Sequence, residues 1–166
     1  HQVEAVFRAV TMETRLRKLS ICQTVLSSVS PGQLARAASC LVELSLTSCE
    51  LSSRQAAAIL GAIGQHTRLK KLDLSDNGID GMNGIEPELL ARAVTYLEEV
   101  SLQRTWLHSG QLSTILAAIG PDTRVKKLDL EGAGLLTLVE LHLLVRAVVF
   151  LEEFNIGHVH VTQPQI

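Results

Sequence analysis

Residues 67–74 read TRLKKLDL and residues 123–130 read TRVKKLDL, so the same eight-residue pattern returns after 56 residues. The segments before it also correspond, with ILGAIG at 59–64 and ILAAIG at 115–120. A sister pattern alternates with these copies, as LVELSL at 41–46, LEEVSL at 97–102 and LEEFNI at 151–156. Two alternating units of about 28 residues therefore build the chain, which is typical of repeat proteins.

Each unit fits the template L-x-x-L-x-L-x-x-(N/C)-x-L. The template begins six times, at Leu16, Leu41, Leu69, Leu97, Val125 and Leu151. The period-two alternation at its centre predicts a short strand, with the leucines pointing inward and the residues between them on an open face. We therefore predict a single repeat domain over residues 1–166 with about six repeats.

An apolar segment with helical spacing follows the strand pattern in successive units. Its positions in two units are Ala57, Leu60, Ile63, Leu89, Leu90, Ala93 and Val94. A strand joined to a helix, repeated along the chain, predicts parallel strands on one side and helices on the other. Because helices are wider than the strand spacing of about 4.8 Å, the stack is expected to curve into a horseshoe.

Three helix starts carry recognisable sequence patterns. Ser30 with Gln33, and Thr137 with Glu140, both match a capping box, in which two side chains bond the first free N–H groups of a helix. Pro87 suits a first helical position, where its missing N–H costs nothing.

The unit length, the alternation of two unit types, the helix in every unit and Cys49 or Asn77 at the ninth template position resemble the leucine-rich repeats of ribonuclease inhibitor and NOD-like receptors. The resemblance spans roughly residues 5–161. It implies an α/β leucine-rich-repeat solenoid with parallel strands on the concave face and helices on the convex face. It also implies a protein-binding scaffold rather than an enzyme, although this repeat class serves many unrelated partners.

The ninth template position departs from the family pattern in several units. Its residues are Thr24, Cys49, Asn77, Thr105, Ala133 and Val159. In the family this side chain bonds backbone groups in the turn after the strand. Because Ala133 and Val159 cannot do so, the strand ladder is expected to loosen toward the C-terminal end, or water must substitute.

The third template position forms a strictly alternating charge row across the predicted strands. Its residues are Lys18, Glu43, Lys71, Glu99, Lys127 and Glu153. Neighbours in this row would lie within about 5 Å, so each lysine would face a glutamate. One interpretation is a ladder of salt bridges that keeps the strands in register, with about 0 to 1 kcal/mol per exposed pair. The other is a strip that binds a partner.

The columns beside the charge row carry polar groups, most of them small. They are Ser20, Ser45, Asp73, Ser101, Asp129 and Asn155 at position five, and Cys22, Thr47, Ser75, Gln103, Glu131 and Gly157 at position seven. The single tryptophan, Trp106, falls in the turn after the fourth strand, between Arg104 and His108. Since Thr105 and Leu107 fill the inward positions, we favour an exposed Trp106 over a core one. We predict a partner-binding site made of Lys71, Asp73, Glu99, Ser101, Gln103, Arg104, Trp106, Lys127, Asp129 and Glu131.

The apparent catalytic and metal-binding motifs each lack a residue that the chemistry requires. The run from Asp73 to Gly78 resembles the start of a calcium loop, but Gly84 stands where a bidentate glutamate is needed. His158 and His160 have no third metal ligand nearby in sequence. The glycines at 78, 81 and 84 are not followed by the Lys-Ser or Lys-Thr of a phosphate loop. We therefore predict no metal, no cofactor and no catalytic residue.

Net charge and cysteine content limit which classes of partner and which cellular compartment fit the sequence. The formal net charge of -2 provides no basic excess for a nucleic acid, and no apolar run is long enough to span a bilayer. Three cysteines without metal-like spacing indicate reduced thiols and a cytoplasmic protein. The chain begins at His1 without Met, and we interpret it as part of a longer protein.

The leading functional hypothesis is the ligand-sensing or autoinhibitory repeat domain of a cytosolic NOD-like innate immune receptor, with a protein or a microbial or danger signal as ligand. A stoichiometric inhibitor similar to ribonuclease inhibitor is an alternative, although that family is rich in cysteine and has an acidic horseshoe. A GTPase-activating repeat protein is another, but would typically carry an acidic tail. Both ends of the stack lack a recognisable polar cap, so they are expected to permit dimerisation.

Overall fold

The computed structural model describes residues 2–78, 82–135 and 138–157. Within these residues six helices and six strands alternate along the chain. The elements are α1 (Gln2–Ala9), β1 (Lys18–Cys22), α2 (Pro31–Cys40), β2 (Glu43–Thr47), α3 (Ser53–Gly61), β3 (Lys71–Asp73), α4 (Pro87–Tyr96), β4 (Glu99–Ser101), α5 (Ser109–Ala118), β5 (Lys127–Asp129), α6 (Leu141–Phe150) and β6 (Glu153–Asn155).

The strands form one open parallel sheet in chain order, β1-β2-β3-β4-β5-β6. Their register aligns equivalent template positions, as in the pairing of Leu44 with Leu72 and of Leu72 with Val100. Consecutive parallel neighbours joined by helices confirm the predicted α/β leucine-rich-repeat solenoid. Each of the six predicted repeat starts lies two residues before the first residue of a strand.

The core lies between the sheet and the helices, as the alternation in the strands predicts. Leu44, Leu72 and Leu128 are each no more than 2% exposed, while the residues on either side of them face the open side of the sheet. Helix α3 contributes the fully buried Ile59 and Leu60 to the same layer. The core is therefore a continuous row of aliphatic side chains, to which each repeat adds one layer.

The helix starts agree with the sequence at two of the three predicted sites. Ser30 and Gln33 form the predicted capping box at α2, and Pro87 occupies the first turn of α4. The predicted box of Thr137 and Glu140 is wrong. Glu140 is the N-cap of α6 and makes no side-chain cap bond, so it does not occupy the third helical position that a capping box requires. Thr137 lies outside the described residues.

Two further capping boxes, Ser52 with Gln55 and His108 with Gln111, contain buried glutamines that also join neighbouring repeats. The Gln55 amide donates to the carbonyls of Leu26 and Val29, at 2.7 and 2.8 Å. The Gln111 amide donates in the same way to Met82 and Ile85, at 2.8 Å each. Each glutamine thus satisfies two carbonyls of the preceding turn that have been removed from water.

Asn77 at the ninth template position bonds backbone groups of the turn, as expected. Its amide nitrogen donates to three carbonyls and its oxygen accepts from the N–H groups of Cys49 and Leu51, at 3.0 and 3.2 Å. The predicted loosening of the strand ladder near Ala133 is not seen as far as Asn155, the last residue of β6. Strands β5 and β6 pair over three residues, as β3 and β4 do. The carbonyl of Ala133 itself accepts from Leu107. Val159 lies outside the described residues.

The two ends of the stack differ in how much apolar surface they expose. At the first end, α1 packs on α2 and buries Phe7 and Val10 completely or nearly so. At the other end, α6 leaves a row of apolar side chains more than half exposed, namely Leu141, Val145, Val148 and Val149. None of the described helices is both long and apolar enough to cross a membrane.

Candidate functional site

The open face of the sheet carries a shallow cleft of about 480 Å³ that reaches all six strands. We call this face the concave wall; it consists of the outward side chains of β1 to β6 and of the residues at the seventh template position. The wall holds eight of the ten predicted site residues, namely Lys71, Asp73, Glu99, Ser101, Gln103, Lys127, Asp129 and Glu131. Arg104 and Trp106 lie in the turn that follows β4.

The charge row is formed as predicted, because the register places each lysine opposite a glutamate of the next strand. Lys18 and Lys71 bridge to Glu43 at 2.9 and 4.0 Å. Lys71 also bridges to Glu99 at 3.2 Å. Lys127 instead bridges to Glu153 at 2.8 Å.

The ladder is therefore interrupted between β4 and β5. Within the described residues, no salt bridge joins Glu99 to Lys127, although the two are register partners. The Lys127 ammonium group instead donates to the Glu153 carboxylate on its other side, and this hydrogen bond, with the charge of Glu153, raises the pKa of Lys127. The prediction that each lysine faces a glutamate on either side is correct for both Lys71 and Lys127, but only Lys71 bridges to both of its neighbours.

At the other end of the row, a hydrogen bond from Lys18 lowers the pKa of Glu43. Desolvation opposes this shift, and the charges of Lys18 and Lys71 add to it. All members of the row remain substantially exposed, so the bridges set register and side-chain orientation more than stability.

The small polar residues of the wall are bonded to one another across strands. The Asp73 carboxylate accepts from the hydroxyls of Ser45 and Thr47, at 3.5 and 3.3 Å, and from the backbone N–H of Ser75. The Ser75 and Ser101 hydroxyls lie 2.7 Å apart. These bonds fix the orientation of the polar groups before any partner arrives.

A second network lies toward the C-terminal end of the wall. The Gln103 amide donates to Asp129 and Glu131, at 3.0 and 3.1 Å. The Asn155 amide donates to the same two carboxylates, at 3.2 Å each. Two carboxylates therefore share two neutral amides, and no salt bridge of the described residues neutralises either of them. This part of the wall carries unbalanced negative charge.

The turn after β4 and the turn after β3 form what we call the rim patch, consisting of Asp76, Gly78, Arg104 and Trp106. The Arg104 guanidinium donates two hydrogen bonds to Asp76, at 2.5 and 2.8 Å. This bidentate contact lowers the pKa of Asp76 and raises that of Arg104. The charges of Glu131 and Asp129 add to the shift at Arg104, so the rim patch is electrostatically coupled to the wall.

Trp106 is 62% exposed, which confirms the predicted position at an edge rather than in the core. Thr105 and Leu107 on either side of it are buried. The indole lies directly on the backbone of Gly78, where a Cβ would come within 2.7 Å of the ring. Arg104 and Trp106 both adopt positive φ, at 49° and 57°. Positive φ recurs at the eighth template position in Gln23, Ser48, Asp76 and Gly132 and at the tenth in Glu50, so this conformation belongs to the turn of the repeat rather than to the rim patch alone.

Asp76, Gly78 and Asn155 were missed as site residues. Asp76 and Gly78 belong to the neighbouring repeat, each 28 residues from the rim residue that it contacts, Arg104 and Trp106 respectively. The signal was present in the 28-residue period, because Asp76 and Arg104 occupy the same template position in adjacent repeats. Asn155 was recognised as polar but not as a bridge between two carboxylates.

The residues that suggested calcium are already occupied. Asn77 uses both ends of its amide on backbone groups, and Asp73 accepts from three donors. In the part of the chain that the structure describes, no group of three or more His, Cys, Asp or Glu side chains could hold a metal ion. His158 and His160 lie outside that part.

The three cysteines are free thiols. Cys22 is exposed on the edge strand, whereas Cys40 and Cys49 are buried. Burial raises the pKa of Cys49, opposed by a backbone hydrogen bond from Thr24. A raised pKa disfavours the reactive thiolate, so Cys49 acts as a core and turn residue.

The family model for the Leucine Rich Repeat matches residues 68–92. Among solved structures, the tropomodulin C-terminal domain of Caenorhabditis elegans is similar, with a TM-score of 0.53 and 11% sequence identity. That alignment covers 97% of this chain and 86% of the other. Both matches support a leucine-rich-repeat domain. A comparison with curated proteins found no significant match.

Leucine-rich repeats typically form non-enzymatic scaffolds that bind other proteins, and the matched repeat supports that general role for this chain. At 11% identity, the structural likeness concerns the fold alone. Neither match points to a NOD-like receptor, to ribonuclease inhibitor or to a GTPase-activating protein.

Proposed function

We propose that the concave wall and the rim patch together bind a protein partner, with Trp106 and Arg104 as the anchoring residues. Tryptophan and arginine dominate the binding energy of protein interfaces more often than other residues. Trp106 is the exposed aromatic of the rim, and its neighbour Arg104 is held in one orientation by Asp76. The observation that carries the proposal is this exposed, conformationally fixed pair at the edge of a polar wall.

The wall suits the polar part of such an interface. Its serines, aspartates and amides are already oriented by lateral hydrogen bonds, so binding would cost little side-chain entropy. Short side chains also allow a partner surface to approach closely. The unbalanced carboxylates of Asp129 and Glu131 favour a partner with basic or amide groups at that end.

The test is affinity capture with quantitative mass spectrometry, using the wild-type chain, a Trp106→Ala variant and an Arg54→Ala variant. Arg54 is exposed on α3, on the opposite side of the molecule, and serves as the matched control. At least one protein should be retained by the wild type and by Arg54→Ala and lost by Trp106→Ala. The same set of proteins on all three baits would contradict the proposal.

We further propose that this scaffold is the ligand-sensing or autoinhibitory domain of a cytoplasmic NOD-like receptor. The 28-residue unit, the alternation of two unit types and the three free thiols support this assignment. It is tested by the sequence of the parent transcript, which should encode a nucleotide-binding P-loop module upstream of the repeats. A strongly acidic tail after the repeats would instead favour a GTPase-activating protein. The absence of both the P-loop module and the acidic tail would favour a stand-alone inhibitor.

A further inference from the structure

A second groove lies at the edge of the sheet where the strands begin, away from the rim patch. It has a volume of about 830 Å³ and is lined mainly by residues within the few positions that precede β1, β2, β3, β4 and β5. Five of its lining residues are cationic: Arg15, Arg17, Arg68, Lys70 and Arg124. We call this feature the basic groove.

The cations of the basic groove recur with the repeat of the sequence. The sequences before and into β1, β3 and β5 read RLRK at 15–18, RLKK at 68–71 and RVKK at 124–127. The corresponding sequences of the other three repeats read CLVE at 40–43, YLEE at 96–99 and FLEE at 150–153. Cations are therefore contributed by every second repeat, always at the same template positions.

Most of this positive charge is not neutralised within the groove. Glu98 is the only carboxylate among the lining residues, and it bridges to Lys70 at 3.3 Å. Arg15, Arg17 and Arg68 are exposed and form no salt bridge with any described residue. Arg124 donates only to the backbone carbonyl of Gln65, at 3.3 Å. Five cations against one carboxylate leave an excess of four positive charges, in a chain whose net charge is -2.

The spacing of the cations identifies the kind of anion that fits. Repeats that carry cations are two strands apart, which is about 10 Å at a strand spacing of about 4.8 Å. An extended peptide in the polyproline II conformation rises about 3.1 Å per residue with three residues per turn, so every third side chain returns to the same face after about 9 Å. Arginine guanidinium groups bind carboxylates through two parallel hydrogen bonds. An acidic peptide crossing the strands would thus meet one cationic cluster with every third residue.

A nucleic acid fits this arrangement less well. Its phosphates follow one another without a break, so some would face the intervening repeat. That repeat presents Glu98 to the groove and Glu99 beside it. The groove also contains half-buried or exposed apolar side chains, Leu16 and Val42, and the Tyr96 ring, against which the uncharged residues of a peptide would pack.

We propose that the basic groove binds an extended acidic segment of a partner protein, with Glu or Asp at every third position. This surface is separate from the concave wall and the rim patch, and it does not depend on the function proposed for them. A protein bound in this way would be recognised by charge and spacing rather than by a buried aromatic anchor.

The probe is a fluorescein-labelled peptide of four Glu-Gly-Ser repeats, titrated with the intact chain and followed by fluorescence anisotropy at low and moderate salt. The same peptide with Gln in place of Glu is the probe control. The test variant is Arg68→Gln with Arg124→Gln. The matched control, Arg36→Gln with Arg54→Gln, removes two exposed arginines from α2 and α3 on the helical side.

We expect the glutamate peptide to bind, to weaken as salt is raised, and to lose about tenfold in affinity with the test variant. The control variant should bind within about twofold of the wild type, and circular dichroism should show both variants folded. Trp106→Ala should bind the peptide as the wild type does, which separates this result from that for the rim patch. No binding of the glutamate peptide, equal binding of the glutamine peptide, or an unchanged affinity of the test variant would overturn the proposal. So would a single-stranded oligonucleotide of equal charge that binds more tightly than the peptide.

Discussion

The odd repeats, which begin at Leu16, Leu69 and Val125, differ from the even repeats, which begin at Leu41, Leu97 and Leu151, in both their strands and their helices. Odd strands are preceded by cations and even strands by apolar or acidic residues. Helices α3 and α5, of even repeats, carry a buried glutamine in their first turn. Helices α4 and α6, of odd repeats, carry in their middle an arginine that is hydrogen-bonded to the preceding repeat. The two kinds of repeat therefore complement each other.

The contacts between helices show how odd and even repeats are joined. Each buried glutamine donates to the turn of the odd repeat before it, and α2 with α3, like α4 with α5, pack closely. Between these pairs the contact is looser, and there Arg92 and Arg146 donate to the carbonyls of Ile63 and Ile119 at the ends of α3 and α5. The 56-residue super-repeat is thus a physical unit, tight within a pair and bridged by one arginine to the next.

The largest expected effect concerns the core, in which odd and even repeats are alike. Leu72→Asp and Val100→Asp would each bury an unpaired carboxylate at a position that is 2% exposed. Each is expected to lower the free energy of unfolding by more than about 4 kcal/mol and to unfold the stack cooperatively. Thermal unfolding followed by circular dichroism measures this. An unchanged melting temperature in either variant would mean that the inward register is wrong for that kind of repeat.

The next effect separates the two kinds of repeat. Gln111→Leu removes the side-chain donor to the buried carbonyls of Met82 and Ile85. The Met82 carbonyl still accepts from the backbone N–H of Ile85, so the expected cost is the unpaired Ile85 carbonyl together with the lost cap, about 2 to 3 kcal/mol. Gln33 occupies the same capping-box position in α2, but its described bonds are confined to the box, so Gln33→Leu should cost about 1 kcal/mol. Chemical denaturation of both variants compares them. Equal losses would mean that Gln111 acts only as a cap and does not join the repeats.

The same contrast explains what the sequence could predict. Strand positions, inward leucines and the exposed Trp106 follow from a period of two within each strand and a period of about 28 between repeats, both of which are visible in the residues. Gln55 and Gln111 were not predicted, because a capping box accounts for a glutamine locally and its second role lies 26 to 29 residues away. The position of Glu140 was wrong because α6 begins later than its capping pattern indicates.

The sequence predicted the strand register correctly but did not predict which side chains pair with one another within that register. The alternation of Lys and Glu correctly placed the charge row but not the interruption between Glu99 and Lys127, because it sets Lys127 between two glutamates without indicating which of them the ammonium group bridges. The pairing of Asp76 with Arg104 could have been predicted from their shared template position. The basic groove likewise needed the cations to be compared between alternate repeats rather than summed over the chain.

A smaller effect tests the bridge between super-repeats. Arg92→Leu removes the donor to the Ile63 carbonyl at 2.8 Å and is expected to cost about 1 kcal/mol, since the side chain is largely exposed. Arg36 lies 56 residues earlier at the equivalent position of α2 and forms no such bond in the described chain, so Arg36→Leu should change stability by less than about 0.5 kcal/mol. Urea unfolding measures both variants. Indistinguishable losses would remove the arginine bridge from the account of the super-repeat.

The smallest effect concerns the salt bridge between Asp76 and Arg104, which joins the turn of an odd repeat to the turn of the next, even repeat at the rim. Arg104 lowers the pKa of Asp76 in the folded chain below its ordinary value of about 3.9. Its stabilising contribution is therefore complete above that value and is lost as the pH falls through the lower folded pKa. Because the two side chains are 56% and 29% exposed, we expect only a few tenths of a kcal/mol.

The measurement compares the free energy of unfolding of the wild type and Asp76→Asn at neutral pH and in acid. The wild type should be slightly more stable at neutral pH, and the difference should shrink as the pH falls below about 4, when Asp76 becomes protonated. Asp122→Asn, which removes an exposed aspartate that forms no salt bridge with the described residues, provides the control and should show no such convergence. A difference that stays constant across this range would show that Asp76 acts through turn geometry rather than charge, and the rim would then owe its fixed Arg104 to the backbone alone.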